Sequence, residues 1–170
     1  PMNARLRQII LIAFAFLVVG ALNVMIYQKE RTLQEGRVML LELAPVDPRS
    51  LMQGDYMVLR YKLAREVRAA SLPLDGHLVV ALNEEGIAAF RRLHTPNMSL
   101  APDEHLLRYR RRGDNIRLGA ESFFFQEGNA KYYSGAKYGE LRVAESGDSV
   151  LAGLRGKELE KLVPEGGAGK

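Results

Sequence analysis

The pattern of apolar and polar positions divides the chain into two unequal parts. Residues 9–27 form an apolar run that carries no charge and a single amide, Asn23. At about 1.5 Å rise per residue, such a helix spans the roughly 30 Å hydrocarbon core of a bilayer. The run is longer than the apolar stretch of a cleaved signal peptide, and no A-x-A-like cleavage site follows it. The pattern therefore predicts an uncleaved transmembrane signal anchor.

The rest of the chain alternates short apolar runs with turn residues, which is typical of strands and tight connections. Segments 83–86 and 147–148 have the composition of hairpin loops. Segment 62–71 has a short helical pattern, and the aromatic run 122–125 is expected to belong to the core. We predict a mainly β fold, in which one N-terminal transmembrane α-helix precedes a β-rich, partly open barrel or sandwich.

These patterns predict five segments along the chain and a location for each. They are a cytoplasmic tail (1–8), the transmembrane signal anchor (9–27), a linker (28–35), a β-rich extracytoplasmic domain (36–163) and a disordered tail (164–170). The short N-terminal tail favours a cytoplasmic N-terminus, although the basic residues on the two sides of the anchor are nearly balanced. We expect a single-pass protein of a bacterial inner membrane, with its C-terminal domain in the periplasm.

Composition and charge narrow the classes of function. The absence of cysteine excludes disulfides, cysteine nucleophiles and zinc ribbons. The three histidines lack a ligand-like spacing, and the sequence has no Walker A loop or Rossmann glycine triad, so neither a metal nor a cofactor is expected. Outside the first 31 residues the charges nearly cancel, and nucleic-acid binding is not expected. The arginine-rich segment 108–112 is either a phosphate-binding patch or a strand end whose arginines face water or pair with acids.

One short motif supports a family resemblance. Segment 54–61 has the sequence GDYMVLRY, which matches G-D-Y-x-x-L-x-Y at its fixed positions Gly54, Asp55, Tyr56, Leu59 and Tyr61. The chain resembles the GDYXXLXY family of bacterial proteins, which also have a single N-terminal membrane segment and a later segment like 138–143. The resemblance implies no established activity, and it implies polytopic membrane proteins as partners, because family members often occur beside them.

The strand pattern of the motif adds an expectation of its own. On an alternating strand, Tyr56 and Tyr61 fall on opposite faces, with Tyr61 on the face of Met57 and Leu59. Asp55 is expected to accept backbone hydrogen bonds in a tight turn, and the alternative is a ligand for a cation or a partner.

A second resemblance concerns catalysis. Four segments are similar, in the same order, to segments of type I signal peptidases: 50–59, 75–80, 90–93 and 124–139. Those enzymes use a serine nucleophile and a lysine base, whose positions fall here at Val46 and Arg91. Valine offers no nucleophile, and arginine keeps its proton at useful pH. The resemblance therefore implies a catalytically dead relative, while a shifted alignment would instead offer Ser50 and Lys62.

A further set of residues is a candidate surface for a partner. Inside the anchor, the amide of Asn23 favours a hydrogen-bonded neighbouring helix. In the domain, tyrosines and an arginine, which are favoured in interfaces, give a candidate patch of Tyr132, Tyr133, Tyr138 and Arg142. The alternatives are that the tyrosines cap the barrel and that Arg142 and Arg60 pair internally with Glu140, Glu127 or Asp55.

The sequence favours a non-catalytic accessory or scaffold subunit that binds a polytopic membrane protein and contacts the bilayer through 9–27. A membrane-bound hydrolase that uses Asp55, Glu127, Arg91 and Arg142 is the first alternative, and an extracytoplasmic ligand sensor is the second. The oligomeric state is not predicted.

Overall fold

The computed structural model describes residues 3–44, 52–53, 56–67 and 72–164 of the chain. Several positions singled out from the sequence lie outside this part: Val46, Ser50, Gly54 and Asp55. Apart from Pro164, the predicted disordered tail 164–170 also lies outside the described residues.

The first element is a single long helix, α1 (Ala4–Glu35). All of its side chains from 5 to 31 are exposed, and it is long and apolar enough to cross a membrane. At about 1.5 Å per residue the helix extends roughly 48 Å, which exceeds the hydrocarbon core of a bilayer. Residues 28–35, which the sequence analysis assigns to a linker, form the last two turns of this helix.

The part of the chain after α1 is mainly β. Ten strands are described: β1 (Arg37–Glu42), β2 (Met52–Gln53), β3 (Tyr56–Val58), β4 (Asp75–Leu82), β5 (Ala88–Leu93), β6 (Glu104–Arg112), β7 (Asn115–Arg117), β8 (Ser122–Phe124), β9 (Tyr138–Val143) and β10 (Ser149–Arg155). Two short helices, α2 (Lys62–Glu66) and α3 (Ala130–Tyr133), connect them. Helix α2 begins within the segment for which a short helix is predicted.

The strands form three antiparallel sheets with the orders β1-β9-β10, β2-β3-β8 and β5-β4-β6-β7. Isolated bridges at and just after β1 join them: Leu40 pairs with Ile87, immediately before β5, and Leu43 pairs with Tyr61, shortly after β3. The sheets therefore continue into one another as a curled sheet that resembles half a barrel. This confirms the predicted mainly β fold with a partly open barrel.

Glycine turns set the hairpins where the sequence predicts them. Gly86 closes the β4–β5 connection with a φ of 79°, and Gly147 closes the β9–β10 hairpin with a φ of 86°. At Gly147 a side chain is also excluded by space, because a Cβ there would lie 2.9 Å from the ring of His77. Such positive φ values favour glycine strongly.

The core lies between the curled sheets and contains aliphatic side chains from most strands, among them Leu41, Leu78, Val80, Leu107, Leu141 and Leu154. The predicted alternation around β3 is confirmed, because Met57, Leu59 and Tyr61 are all buried. Hydrophobic burial of this kind is the main favourable term in folding.

The expectation that the whole aromatic run 122–125 is core is wrong for one residue. Phe123 and Phe125 pack against the core through Tyr133, with ring centroids 4.9 and 5.4 Å from its ring. Phe124 is 75% exposed. Successive side chains of a strand point to opposite faces, so β8 cannot bury all of its aromatic residues on one side.

Candidate functional site

The motif residues that the structure describes are part of the framework. Leu59 donates its backbone N–H to the carbonyl of Glu121 over 2.8 Å, and its side chain is buried. Tyr56 is half-buried on β3, with its ring centroid 5.7 Å from that of Phe124. Gly54 and Asp55 lie outside the described residues, so the expected roles of Asp55 stay predictions.

Tyr61 has the most constrained position in the motif. Its side chain is only 3% exposed, and its hydroxyl donates a hydrogen bond to the carbonyl oxygen of Ala120 over 2.7 Å. Burial, together with the negative charge of Glu121, raises the pKa of this phenol above its ordinary value. Gly139 on β9 leaves room for the ring, since a Cβ there would lie 3.0 Å from it. Tyr61 therefore remains a neutral donor that connects β9 to the segment after β7.

The predicted tyrosine patch is divided between core and surface. Tyr133 is buried against Phe123 and Phe125, which agrees with the alternative that it closes the barrel. Tyr132 is half-buried, and the ammonium of Lys131 lies 5.0 Å from the centroid of its ring. Tyr138 is half-buried at the start of β9. Of the three tyrosines, Tyr132 and Tyr138 retain surface for a partner.

Of the three acids considered as internal partners for Arg142 and Arg60, Glu140 is paired with a different arginine, Arg155. Glu140 is only 5% exposed, and its carboxylate accepts a hydrogen bond from Nε of Arg155 over 2.6 Å. Arg155 also donates to the carbonyl of Leu159 over 2.8 Å. The role of Arg155 could not be predicted from side-chain alternation, because β10 has an extra residue between Leu151 and Gly153. This bulge brings Arg155 to the same face of the sheet as Glu140.

Arg142 instead joins the helix to the domain. Its Nη1 donates a hydrogen bond to the carbonyl of Gly36 over 3.2 Å. The N–H of Gly36 in turn donates to the carbonyl of Thr32 over 2.9 Å, which ends α1. A Cβ on Gly36 would collide with that same carbonyl and lie 3.1 Å from the backbone nitrogen of Val143. The helix, which also packs against β9 and β10, thus meets the domain through a close contact.

The residues suggested for a hydrolytic site do not come together in the part of the chain that the structure describes. Arg91 is exposed on β5, Glu127 is exposed in the turn before α3, and Arg142 bonds to the end of α1. The structure describes neither Asp55 nor Val46. Among the described residues, no group of three His, Cys, Asp or Glu side chains is arranged to hold a metal ion.

A cleft of about 1300 Å³ lies between the last turns of α1 and the adjacent end of the β domain. Its walls carry six cationic side chains: Lys29, Arg31, Arg37, Arg108, Arg110 and Arg142. They carry three carboxylates: Glu35, Glu145 and Asp148. This excess of positive charge at the end of the membrane-type helix is a feature that the sequence analysis did not identify.

Some of these cations are already paired. Arg31 lies 2.7 Å from the carboxylate of Glu35, and Arg108 lies 3.0 and 3.1 Å from those of Asp75 and Asp148. The hydrogen bond from Arg108 is the main reason that the pKa of Asp75 is lowered. Arg108, and Arg110 at 3.8 Å from Asp75, therefore pair with acids, as one of the two interpretations of segment 108–112 predicts.

Two other cations in the cleft have no carboxylate partner among the described residues. Neither Lys29 nor Arg37 forms an ion pair within the described ranges. The pKa of His105, which also lines the cleft, is lowered first by burial and then by the charge of Arg37. The cleft therefore presents charge suited to phosphate or carboxylate oxygens.

Comparison with known proteins identifies the family. A model of the GDYXXLXY protein family matches residues 18–154, which include the last part of the apolar helix and nearly the whole β domain. The chain belongs to the GDYXXLXY family. No curated protein and no solved structure matches it, so the resemblance to signal peptidases stays a prediction.

Proposed function

We propose that this GDYXXLXY protein is a membrane-anchored, non-catalytic accessory subunit that binds a polytopic membrane protein through its helix and its β domain. In this proposal the helix crosses a bacterial inner membrane with its N-terminus in the cytoplasm, and the domain lies in the periplasm. The observation that carries the proposal is the long helix, which is apolar on every side, exposed over its apolar length and directly joined to a folded domain.

The amide of Asn23 indicates where a partner helix would contact α1. One of its N–H groups donates to the carbonyl of Val19 within the helix over 2.9 Å, and its side-chain oxygen has no hydrogen bond among the described residues. Gly20 is on the same face, three residues earlier, and a Cβ there would meet nothing within 4 Å. A small residue beside a polar one allows close approach and a hydrogen bond between membrane helices.

The domain offers a second contact region at its far end. Tyr138 begins β9 and is paired with Arg155, whereas Val143 ends this strand beside the helix junction. In the proposed topology Tyr138 therefore lies away from the bilayer, where it would face the extramembrane loops of a partner. Tyr132, on α3, is also half-buried and offers part of its ring to a partner.

The test is a pull-down of the full chain from its native host in mild detergent, with a C-terminal tag and mass spectrometry of what copurifies. We expect a polytopic protein in near-stoichiometric amount. Asn23→Leu is expected to weaken retention about 3- to 30-fold, the value of one hydrogen bond between membrane helices. Val24→Leu is the matched control, since it introduces the same side chain on a neighbouring face and is expected to retain the partner.

Two results would contradict the proposal. One is a chain that purifies alone under conditions in which other membrane complexes of the host survive. The other is equal loss of the partner for Asn23→Leu and Val24→Leu, which would show that the amide plays no specific part.

A further inference from the structure

The level of the domain relative to a bilayer follows from the helix. The apolar run ends at Tyr27, and Lys29 lies two residues further, about 3 Å along the helix axis. If α1 crosses the membrane, Lys29 therefore lies in the headgroup layer, which extends several ångströms beyond the hydrocarbon core. Because Gly36 connects α1 to β1 without a linker, parts of the domain beside Lys29 lie at the same level.

Lys29 lies beside two different surfaces of the domain. On one side it lines the cationic cleft, together with Arg31 and the tip of the β9–β10 hairpin. On the other side it lines a depression of about 350 Å³, whose other walls include Phe124, Val150 and Leu151. A basic surface and an apolar surface thus meet at the level of Lys29.

Phe124 has the exposure expected of a side chain that contacts something outside this domain. It is 75% exposed, although its neighbours Phe123 and Phe125 pack into the core. Burial of an aromatic ring is favourable, and aromatic side chains lie well at the boundary between headgroups and acyl chains. Its position beside Lys29 places it within reach of that boundary.

We propose that this end of the β domain rests on the bilayer surface, with Phe124 in the interfacial layer and the part of the cleft beside Lys29 occupied by the headgroup phosphate of an anionic phospholipid. Charge complementarity favours this occupant. Cations outnumber carboxylates on the cleft walls, and Lys29 forms no ion pair among the described residues. Basic residues near a membrane surface attract anionic lipids. The proposal is independent of the polytopic partner, because it concerns lipid contacts of the domain itself.

The position of Phe124 can be tested by fluorescence, because the chain contains no tryptophan. The full chain with Phe124→Trp is reconstituted in phosphatidylcholine nanodiscs that contain phosphatidylglycerol and a lipid brominated near the top of its acyl chains. The control is Val163→Trp, which places the tryptophan at another exposed position. Val163 follows Lys161, and Lys161 pairs with Arg155 at the end of the β9–β10 ladder that lies away from the hairpin tip.

We expect the tryptophan at position 124 to be quenched by the brominated lipid at least about twofold more than the one at position 163, and to be protected from aqueous acrylamide. Equal lipid quenching at the two positions would overturn the proposal. Free access of acrylamide to position 124 in pure lipid would also overturn it, and would leave this face to a protein partner.

The headgroup site is tested by the phosphatidylglycerol that copurifies after extraction from vesicles with equal amounts of phosphatidylglycerol and phosphatidylcholine. We expect Lys29→Gln to lower the retained phosphatidylglycerol about fivefold, the effect of one basic residue near an anionic surface. The control is Lys157→Gln, which removes an exposed charge in the turn after β10. Retention unchanged by Lys29→Gln, or lowered equally by Lys157→Gln, would overturn the headgroup site.

Discussion

The helix α1 and the core of the β domain are both built from apolar side chains, yet they differ in how those side chains are covered. In the domain, Leu41, Leu78 and Leu141 are completely buried by other strands of the same chain. In the helix, comparable side chains such as Leu11, Phe14 and Ile26 are each more than half exposed. The domain therefore supplies its own apolar surroundings, whereas the helix requires lipid or another protein to supply them.

This difference predicts which substitutions change the stability of the domain and which change only the contacts of α1 with lipid or with another protein. Changes in the core are expected to lower the free energy of unfolding of the domain. Changes within residues 9–27 of α1, all of which are exposed, are expected to leave that free energy unaltered and to act on insertion or association.

The largest effect is expected from the buried ion pair in the domain. Arg155→Met leaves the carboxylate of Glu140 buried without its partner, which typically costs about 3–5 kcal/mol. Urea unfolding of the full chain in detergent micelles, followed by circular dichroism, measures this loss. Arg91→Met is the matched control, because Arg91 is exposed on β5. The double change Glu140→Leu with Arg155→Met is expected to recover much of the loss, and a failure of Arg155→Met to destabilise would contradict the structure.

The same apolar truncation is expected to have unequal effects in the core and on α1. Leu141→Ala removes a side chain with no exposed surface and is expected to cost about 2–5 kcal/mol of unfolding free energy, because it leaves a cavity. Leu11→Ala removes a side chain that is 61% exposed on α1, so the domain should unfold at an unchanged urea concentration. Equal shifts of the urea midpoint for the two variants would show that the stability of the domain depends on the exposed part of α1.

Removal of one hydroxyl gives a smaller effect of the same kind. Tyr61→Phe leaves the carbonyl of Ala120 without its buried donor and is expected to cost about 1–3 kcal/mol in urea unfolding. Tyr27→Phe makes the same change on the exposed surface of α1 and should not alter the stability of the domain. A Tyr61→Phe chain as stable as the unchanged protein would remove the structural role assigned here to the last residue of the motif.

The smallest effect is a dependence on acidic pH that is confined to the domain. Hydrogen bonds from Arg108, and its charge, lower the pKa of Asp75, and the pKa of Glu104 is lowered by the N–H of Ala101 and by Arg92. Lowered pKa values stabilise the folded state above the unfolded-state values, which lie near 4, and this contribution disappears as the pH falls further.

Thermal unfolding of the full chain between pH 7 and pH 3 tests this dependence. The melting temperature of the domain should fall below about pH 4, and the fall should be smaller for Asp75→Asn and Glu104→Gln. The helical circular dichroism signal of α1 should change little over this range, because the apolar part of the helix, residues 9–27, contains no carboxylate. A domain that melts at the same temperature at pH 3 and pH 7 would contradict the prediction.

Some features were predictable because they depend only on residues that are close in sequence. A run that is apolar on all sides forms a membrane-type helix without help from the domain, so the existence of α1 followed from composition. The side-chain alternation of a strand is equally local, and it placed Leu59 and Tyr61 on the buried face. Glycines that require positive φ marked the hairpins at Gly86 and Gly147.

Other features depend on which strands become neighbours, and no local pattern contains that information. Arg155 reaches Glu140 only because a bulge shifts the β9–β10 register by one residue. Arg142 meets the carbonyl of Gly36, 106 positions away, because β9 ends beside the helix junction.

Local sequence is enough to predict the apolar helix, the β-rich character of the domain and the family motif, because each depends on periodicity or on a short contiguous segment. Three other features exist only in the folded chain: the exposure of Phe124, the pairing of Glu140 with Arg155, and the convergence of basic residues from the helix and several strands on one cleft. They arise because strand register and the packing of α1 against β9 and β10 bring distant residues together.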